Sequence, residues 1–155
     1  MKKLGIGLVG LGFPSISHGA GFSEMPDACQ VVAMCDIKED VVKVRAKKAN
    51  AKPYLRYIDL LDDPAVDVVD VTTQHESHFE IAKAALERRK HVFVEKPICV
   101  SSEMGLELVE LAKKTGSNAG CGGKHSLCAR LPCRREDPQG ENSWGYLVCA
   151  HDDRR

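Results

Sequence analysis

Up to about residue 118, short apolar runs rich in β-branched residues alternate with longer segments whose apolar positions recur at helical spacing. That alternation predicts an α/β fold with a parallel sheet. Residues 4–9, 31–35, 66–71 and 91–94 read as buried strands. Between the last two, Phe79, Ala82, Ala85 and Leu86 share one helical face, with Glu76 in the first turn and Arg88-Arg89-Lys90 in the last, as the helix dipole favours. This helix is the crossover of a βαβ unit. A further helix starts at Ser101 as N-cap, carries Glu103 in its first turn and Met104, Leu108 and Leu111 as its stripe, and stops at Gly116 after Lys113-Lys114.

Composition sets the scale of this reading. A chain of 155 residues with 43% apolar content supports one ordinary core. Its 22 basic residues balance 22 acidic ones, which gives no general electrostatic reason to expect nucleic acid or an anionic membrane as partner. No run approaches the roughly 20 apolar residues of a membrane helix, and the start lacks the h-region of a signal peptide. The expectation is a cytoplasmic protein whose seven cysteines are free thiols.

The first strand runs into Gly10-Leu11-Gly12-Phe13-Pro14-Ser15, a form of the fingerprint G-x-G-x-x-G with Ser15 in the third position. Gly10 permits a tight turn, Gly12 lets a pyrophosphate approach the backbone, and Pro14 suits a first helical turn because its missing N–H is not needed there. Asp36 ends the second strand 24 residues beyond Gly12, where an acid would accept from a ribose 2'-hydroxyl. A carboxylate there repels a 2'-phosphate, so NAD is the expected cofactor, with NADP left open by Lys38. The bland alternative is a Rossmann-like domain in which Gly10, Gly12 and Asp36 only shape the chain.

Thr72-Thr73-Gln74-His75-Glu76-Ser77-His78 and Lys90-His91-Val92-Phe93-Val94-Glu95-Lys96-Pro97 follow in the pattern. With the glycine loop, they give residues 1 to about 117 a chain that resembles the Gfo/Idh/MocA oxidoreductases. The resemblance implies a Rossmann-like doubly wound parallel sheet, hydride transfer between a nicotinamide cofactor and a sugar, cyclitol or related polyol, and a cis Lys96-Pro97 peptide. It assigns Lys96 a catalytic, substrate-orienting role beside the nicotinamide. It also places Thr73, His78, Glu95 and Pro97 in the cofactor cleft with Gly10, Gly12, Phe13, Pro14 and Asp36. The residues themselves leave alternatives: Lys96 as a surface lysine, His78 as a helix-terminus hydrogen bonder, and His75 unassigned.

The family's second domain has no counterpart from Ala119 onward. The expected division is a dinucleotide-binding domain over 1–118 and an irregular tail over 119–155, with no sixth strand because 118–123 is mostly Gly and Cys. The open sheet edge this leaves would favour a homo-oligomer. If one base is skipped within Asn118, suitable third bases let the downstream codons spell a strand, an Asn-x-Arg-Phe turn, an amphipathic helix and a Gly-Asp-Ile strand start. The tail therefore reads as a frameshifted translation, and the chain as the amino-terminal fragment of a longer dehydrogenase, inactive by itself. Cys121, His125, Cys128 and Cys133 offer zinc ligands, but gaps of three, two and four residues match none of the paired spacings, so no metal is expected. A non-catalytic nucleotide-binding module or regulatory partner is the second function class.

Overall fold

A computed structural model describes residues 3–121. The elements follow in the order β1 Leu4–Val9, α1 Pro14–Ser23, β2 Cys29–Cys35, α2 Glu39–Ala49, β3 Lys52–Tyr54, α3 Tyr57–Leu61, β4 Val68–Val71, α4 His75–Glu87, β5 His91–Val94, α5 Ser102–Thr115 and β6 Ala119–Cys121. The strands pair in the order β3-β2-β1-β4-β5-β6, every pair parallel. This is the doubly wound Rossmann order, with its switch point between β1 and β4. Strands 4–9 and 91–94 lie where the pattern puts them. The second begins two residues earlier than expected, and the fourth two residues later, because Val66 is already core but belongs to the turn leading into β4.

Both faces of the sheet are covered. Because side chains alternate along a strand, Ile6, Leu8, Val68 and Phe93 turn to the side that carries α1 and α2, where Val42 and Ala46 join them. Val9, Val69, Val71, Val92 and Val94 turn to the side of α3, α4 and α5, against Leu60, Phe79, Ala82, Leu86 and Leu108. Full burial of each such aliphatic side chain contributes about 1.5–3 kcal/mol before its entropy cost. Among the described residues no helix is long and apolar enough to cross a membrane.

Helix α5 has the expected ends: Ser101 Oγ accepts from Met104 N–H at 3.3 Å, and Gly116 closes it in the left-handed region with φ 71°. The basic cluster after α4 behaves differently from the expected last turn. Arg88 is the C-cap, Arg89 has φ 58°, and Lys90 lies beyond the helix, where its ammonium donates to the Asp63 and Val66 carbonyls at 3.1 and 2.7 Å. The Lys90 ammonium thus satisfies the backbone of the turn before β4, while its N–H donates to Ala85 O at the end of α4 at 3.0 Å.

The expectation of a missing sixth strand is corrected. Ala119–Cys121 pairs with Val92, Phe93 and Val94. Strand pairing is a backbone interaction, so Gly120 and Cys121 do not prevent it. His91 also anchors its start: the ring Nδ1 accepts from Asn118 N–H at 3.1 Å, and Val92 N–H donates to Asn118 O at 2.8 Å. The edge of β5 is therefore covered, which removes the stated ground for self-association. The expectations for the irregular tail, the frameshifted reading and the His125, Cys128 and Cys133 ligands fall on residues 122–155, outside the described residues.

Burial holds the His91 imidazole below its ordinary value, with Asp67 opposing. Its neutral form is thus favoured by folding, and the stability it contributes is present above the unfolded pKa and lost as pH falls through the folded one. Acidification should lower the hydrogen-exchange protection factor at Asn118 before it lowers that at Val69 in the sheet centre. Simultaneous loss of protection at both amides would show that His91 does not control the docking of β6.

Candidate functional site

The carboxyl ends of β1, β2, β4 and β5 bring the glycine loop, Asp36, Thr72-Thr73 and Glu95-Lys96-Pro97 to one edge of the sheet. Gly10 sits at φ 85°, and a Cβ there would stand 2.7 Å from Thr73 Cγ2 and 2.8 Å from Thr72 C and Thr73 N. Two crossing backbones at the switch point therefore require this glycine. The Thr72 hydroxyl adds a 2.6 Å bond to Gly10 O. Gly12 is different: a Cβ on it would meet nothing nearer than the Pro14 ring at 3.8 Å. Packing does not demand this glycine, and the space beside it is open.

Asp36 reaches back to the same loop. Its Oδ2 accepts from Leu11 N–H at 2.7 Å and its Oδ1 from Lys38 N–H at 2.9 Å. Among the described residues the Gly12 and Phe13 N–H groups have no hydrogen-bond acceptor. No side chain caps α1 at Phe13, whose ring is 86% exposed, and Pro14 takes the first helical position. Free amides, a helix N-terminus and the absence of a Cβ at Gly12 together fit a pyrophosphate in this cradle.

Ser15, in the position of the third glycine, is fully buried; its hydroxyl donates to Gly12 O at 2.6 Å. Arg45 on α2 donates to that hydroxyl at 2.8 Å and to Leu11 O at 2.7 Å. Nothing in the spacing of α2 marks Arg45, since half of that helix is charged. Only the docking of α2 on β2 and β3, on the face of the sheet that carries α1, brings it under the loop.

On the other side of the switch point, His78 is fully buried, with Nδ1 2.7 Å from Pro97 O and Nε2 3.1 Å from Thr73 O. Each ring nitrogen faces a backbone carbonyl, and the N–H donates to one of them, so the ring packs the loop after β4 against the segment after β5. The Thr73 hydroxyl accepts from Ser77 Oγ at 2.8 Å. Lys96 is exposed, its ammonium makes no hydrogen bond or close ion pair among the described residues, and the Lys96-Pro97 peptide is cis.

Next to Lys96 in the chain, Glu95 belongs to a partly buried cluster that the sequence pattern did not bring out. His18 Nδ1 lies 3.0 Å from both oxygens of Asp70, and its Nε2 lies 3.1 Å from Glu95 Oε1. The signal was available in Val68-Val69-Asp70-Val71, where a fully buried strand carries one charged residue that must be paired. Cys35, next to Asp36, is inert by contrast: burial, with Asp36 and Asp59 adding to it, pushes its thiol up to about 12.

The two glycines should respond oppositely to substitution. Gly10→Ala places a methyl group against backbone at a positive φ and should cost at least about 2 kcal/mol in urea denaturation. Gly12→Ala should change stability by less than about 1 kcal/mol while blocking the cradle. Equal destabilisation by both would mean that Gly12 is held by packing after all.

Residues 4–122 match the oxidoreductase family with an NAD-binding Rossmann fold. Inositol 2-dehydrogenase/D-chiro-inositol 3-dehydrogenase of Lactiplantibacillus plantarum is 35% identical over 117 residues, covering 72% of this chain and 32% of that protein. GenD2 from gentamicin A biosynthesis, solved with NAD, superposes with a TM-score of 0.77 at 25% identity, covering 84% of this chain and 37% of that one. Biliverdin reductase from Synechocystis, solved with biliverdin and NADP+, gives 0.71 at 28% identity over 76% and 37%. The chain spans about a third of the length of the curated relatives it matches. A glycine cradle, an acid at the end of β2 and a sheet shared with these proteins lead to one assignment: the chain belongs to the Gfo/Idh/MocA oxidoreductases, as an NAD(P)-binding Rossmann domain of that family.

Proposed function

We propose that the chain binds NAD in preference to NADP along the carboxyl edge of the sheet, as the cofactor half of a dehydrogenase acting on a secondary alcohol of a cyclitol, sugar or related polyol. The observation that carries this reading is the open space at Gly12 beside two unpartnered N–H groups. In it, Gly10 and Gly12 form the pyrophosphate turn, and Phe13 and Pro14 open the helix that faces it. Asp36 accepts from the adenosine ribose hydroxyls and rejects a 2'-phosphate by like charge. Thr73, Glu95 and Pro97 border the nicotinamide end. His78, fully buried, acts through Thr73 and Pro97, whose backbones it holds.

A nicotinamide bound there supplies the hydride chemistry. Lys96 supplies the cation, exposed at the end of a parallel strand where α/β ligands sit, and so orients a substrate hydroxyl. The polyol class follows from the inositol dehydrogenases among the relatives. Holding two reactants in near-attack geometry supplies roughly 7–11 kcal/mol of barrier reduction. The described residues leave Lys96 and Phe13 open to solvent, so the chain as it stands binds cofactor without useful turnover.

Titration calorimetry with NADH and NADPH tests the cofactor assignment. Asp36→Ala should weaken NADH by about 10- to 100-fold, the worth of a charge-assisted hydrogen bond, and NADPH by much less. Asp36→Asn, which keeps an acceptor for Leu11 N–H, should narrow the gap between the two cofactors. Equal losses for both would leave Asp36 a loop-holding role only. NADH formation from NAD and myo-inositol by the 155-residue chain would refute the need for further protein around the cleft. Failure to bind either nucleotide would remove the reading itself.

A further inference from the structure

The His18, Asp70 and Glu95 cluster, in which only Asp70 is fully buried, has a bridging geometry that the cofactor assignment leaves unused. His18 stands on α1, one turn past the glycine loop. Asp70 lies on β4, and the period of two that sends Val69 and Val71 to the other face turns its fully buried carboxylate toward α1. Glu95 follows β5: its N–H donates to Val71 O at 2.9 Å, its Oε1 faces His18 Nε2, and its Oε2 accepts from Lys96 N–H at 2.8 Å. A neutral imidazole carries one N–H and would turn a lone pair toward one of the two carboxylates. Imidazolium donates from both nitrogens and suits both neighbours.

We propose that His18, as an imidazolium clamped between Asp70 and Glu95, is a positioning residue that holds the Lys96 backbone in place, so that loss of its proton loosens the nicotinamide end of the cleft. The proposal rests on the cofactor reading above for its effect on binding, but not for the bridge itself. It joins the helix that faces the pyrophosphate to the strand end that presents Lys96, across the switch point. The Phe93 ring, 5.5 Å from that of His18, closes the cluster on its apolar side.

The electrostatics agree with the geometry. Burial disfavours the charged ring, but the hydrogen bonds and charges of Asp70 and Glu95 outweigh it and hold His18 above its ordinary 6.5. Burial pushes the Asp70 carboxyl up, with His18 opposing. Burial also works against the Glu95 carboxylate, yet the Lys96 N–H and His18 bring it below its ordinary range. The other groups facing the cluster are the Lys96 ammonium, which favours the charged Glu95, and the Cys121 thiol of β6, which burial and Glu95 keep protonated. A group whose folded pKa is raised contributes fully below its unfolded pKa and loses that contribution as pH rises through the folded one. The clamp is therefore set on the acid side of the raised His18 midpoint and released as pH rises through it.

Long-range proton–nitrogen NMR of the 155-residue chain between about pH 5.5 and 9 follows the His18 ring and the Lys96 amide together. His18 should titrate above 6.5, and the Lys96 amide should shift with the same midpoint. In His18→Gln that amide should no longer move in this window. In Glu95→Gln the His18 midpoint should fall. NADH affinity should weaken by about two- to tenfold as the wild-type chain passes that midpoint, the worth of one hydrogen bond, and should lose this step in His18→Gln. A His18 midpoint at or below 6.5, or a Lys96 amide indifferent to it, overturns the proposal. Should His18→Gln fail to fold, the wild-type and Glu95→Gln titrations still decide. An absence of NADH binding at every pH would count against the cofactor reading, while the two NMR midpoints would still settle the bridge.

Discussion

In a sheet whose six strands among the described residues all run the same way, every strand delivers its carboxyl end to one edge, and every helix must return the chain to the other. Residues from four separate βα turns, Gly10, Asp36, Thr73 and Lys96, meet at that edge only for this reason. The β1–β4 junction matters most. There the chain leaves β1 toward α1 on one face and leaves β4 toward α4 on the other, which opens a crevice between the two loops. Gly10 is where those loops come closest, and its missing Cβ lets Thr72 and Thr73 pass within 3 Å of where one would stand.

Polar groups along this edge serve one another before they serve a ligand. Asp36 holds Leu11, Arg45 holds Leu11 and Ser15, Thr72 holds Gly10, and His78 holds Thr73 and Pro97. The neutral bonds are modest, about 0.5–1.5 kcal/mol net, and those of Asp36 and Arg45 are worth about 1.5–3 kcal/mol. Their value lies in direction: loops without regular backbone pairing are held while the Gly12 and Phe13 N–H groups stay without an acceptor among the described residues. Preorganisation of this kind removes an ordering cost that binding would otherwise meet.

The Asp70–His18–Glu95 cluster extends the same logic beneath the surface. A carboxylate in the middle of a buried strand is costly unless it is paired. Here its partner is a histidine whose other nitrogen reaches the strand next door. Backbone parallelism and side-chain alternation together place these three groups on one face, so the charge is neutralised by an element distant in sequence.

What the sequence by itself determined was whatever depends on neighbours along the chain. The strands at 4–9 and 91–94, the capped ends of α5 and the glycine turn followed by Pro14 all rest on local periodicity and on conformations that only certain residues adopt. The parallel sheet followed from the alternation of strand and helix. The tertiary structure decided the partners. The Lys90 ammonium found the turn before β4, His91 anchored a sixth strand that composition argued against, and Arg45 came under the glycine loop from a helix with no distinguishing pattern. It also joined His18 to Asp70 and Glu95, 52 and 77 residues away. A side chain's reach is set by its local backbone, but which distant acceptor lies within that reach depends on how strands are ordered and helices laid across them.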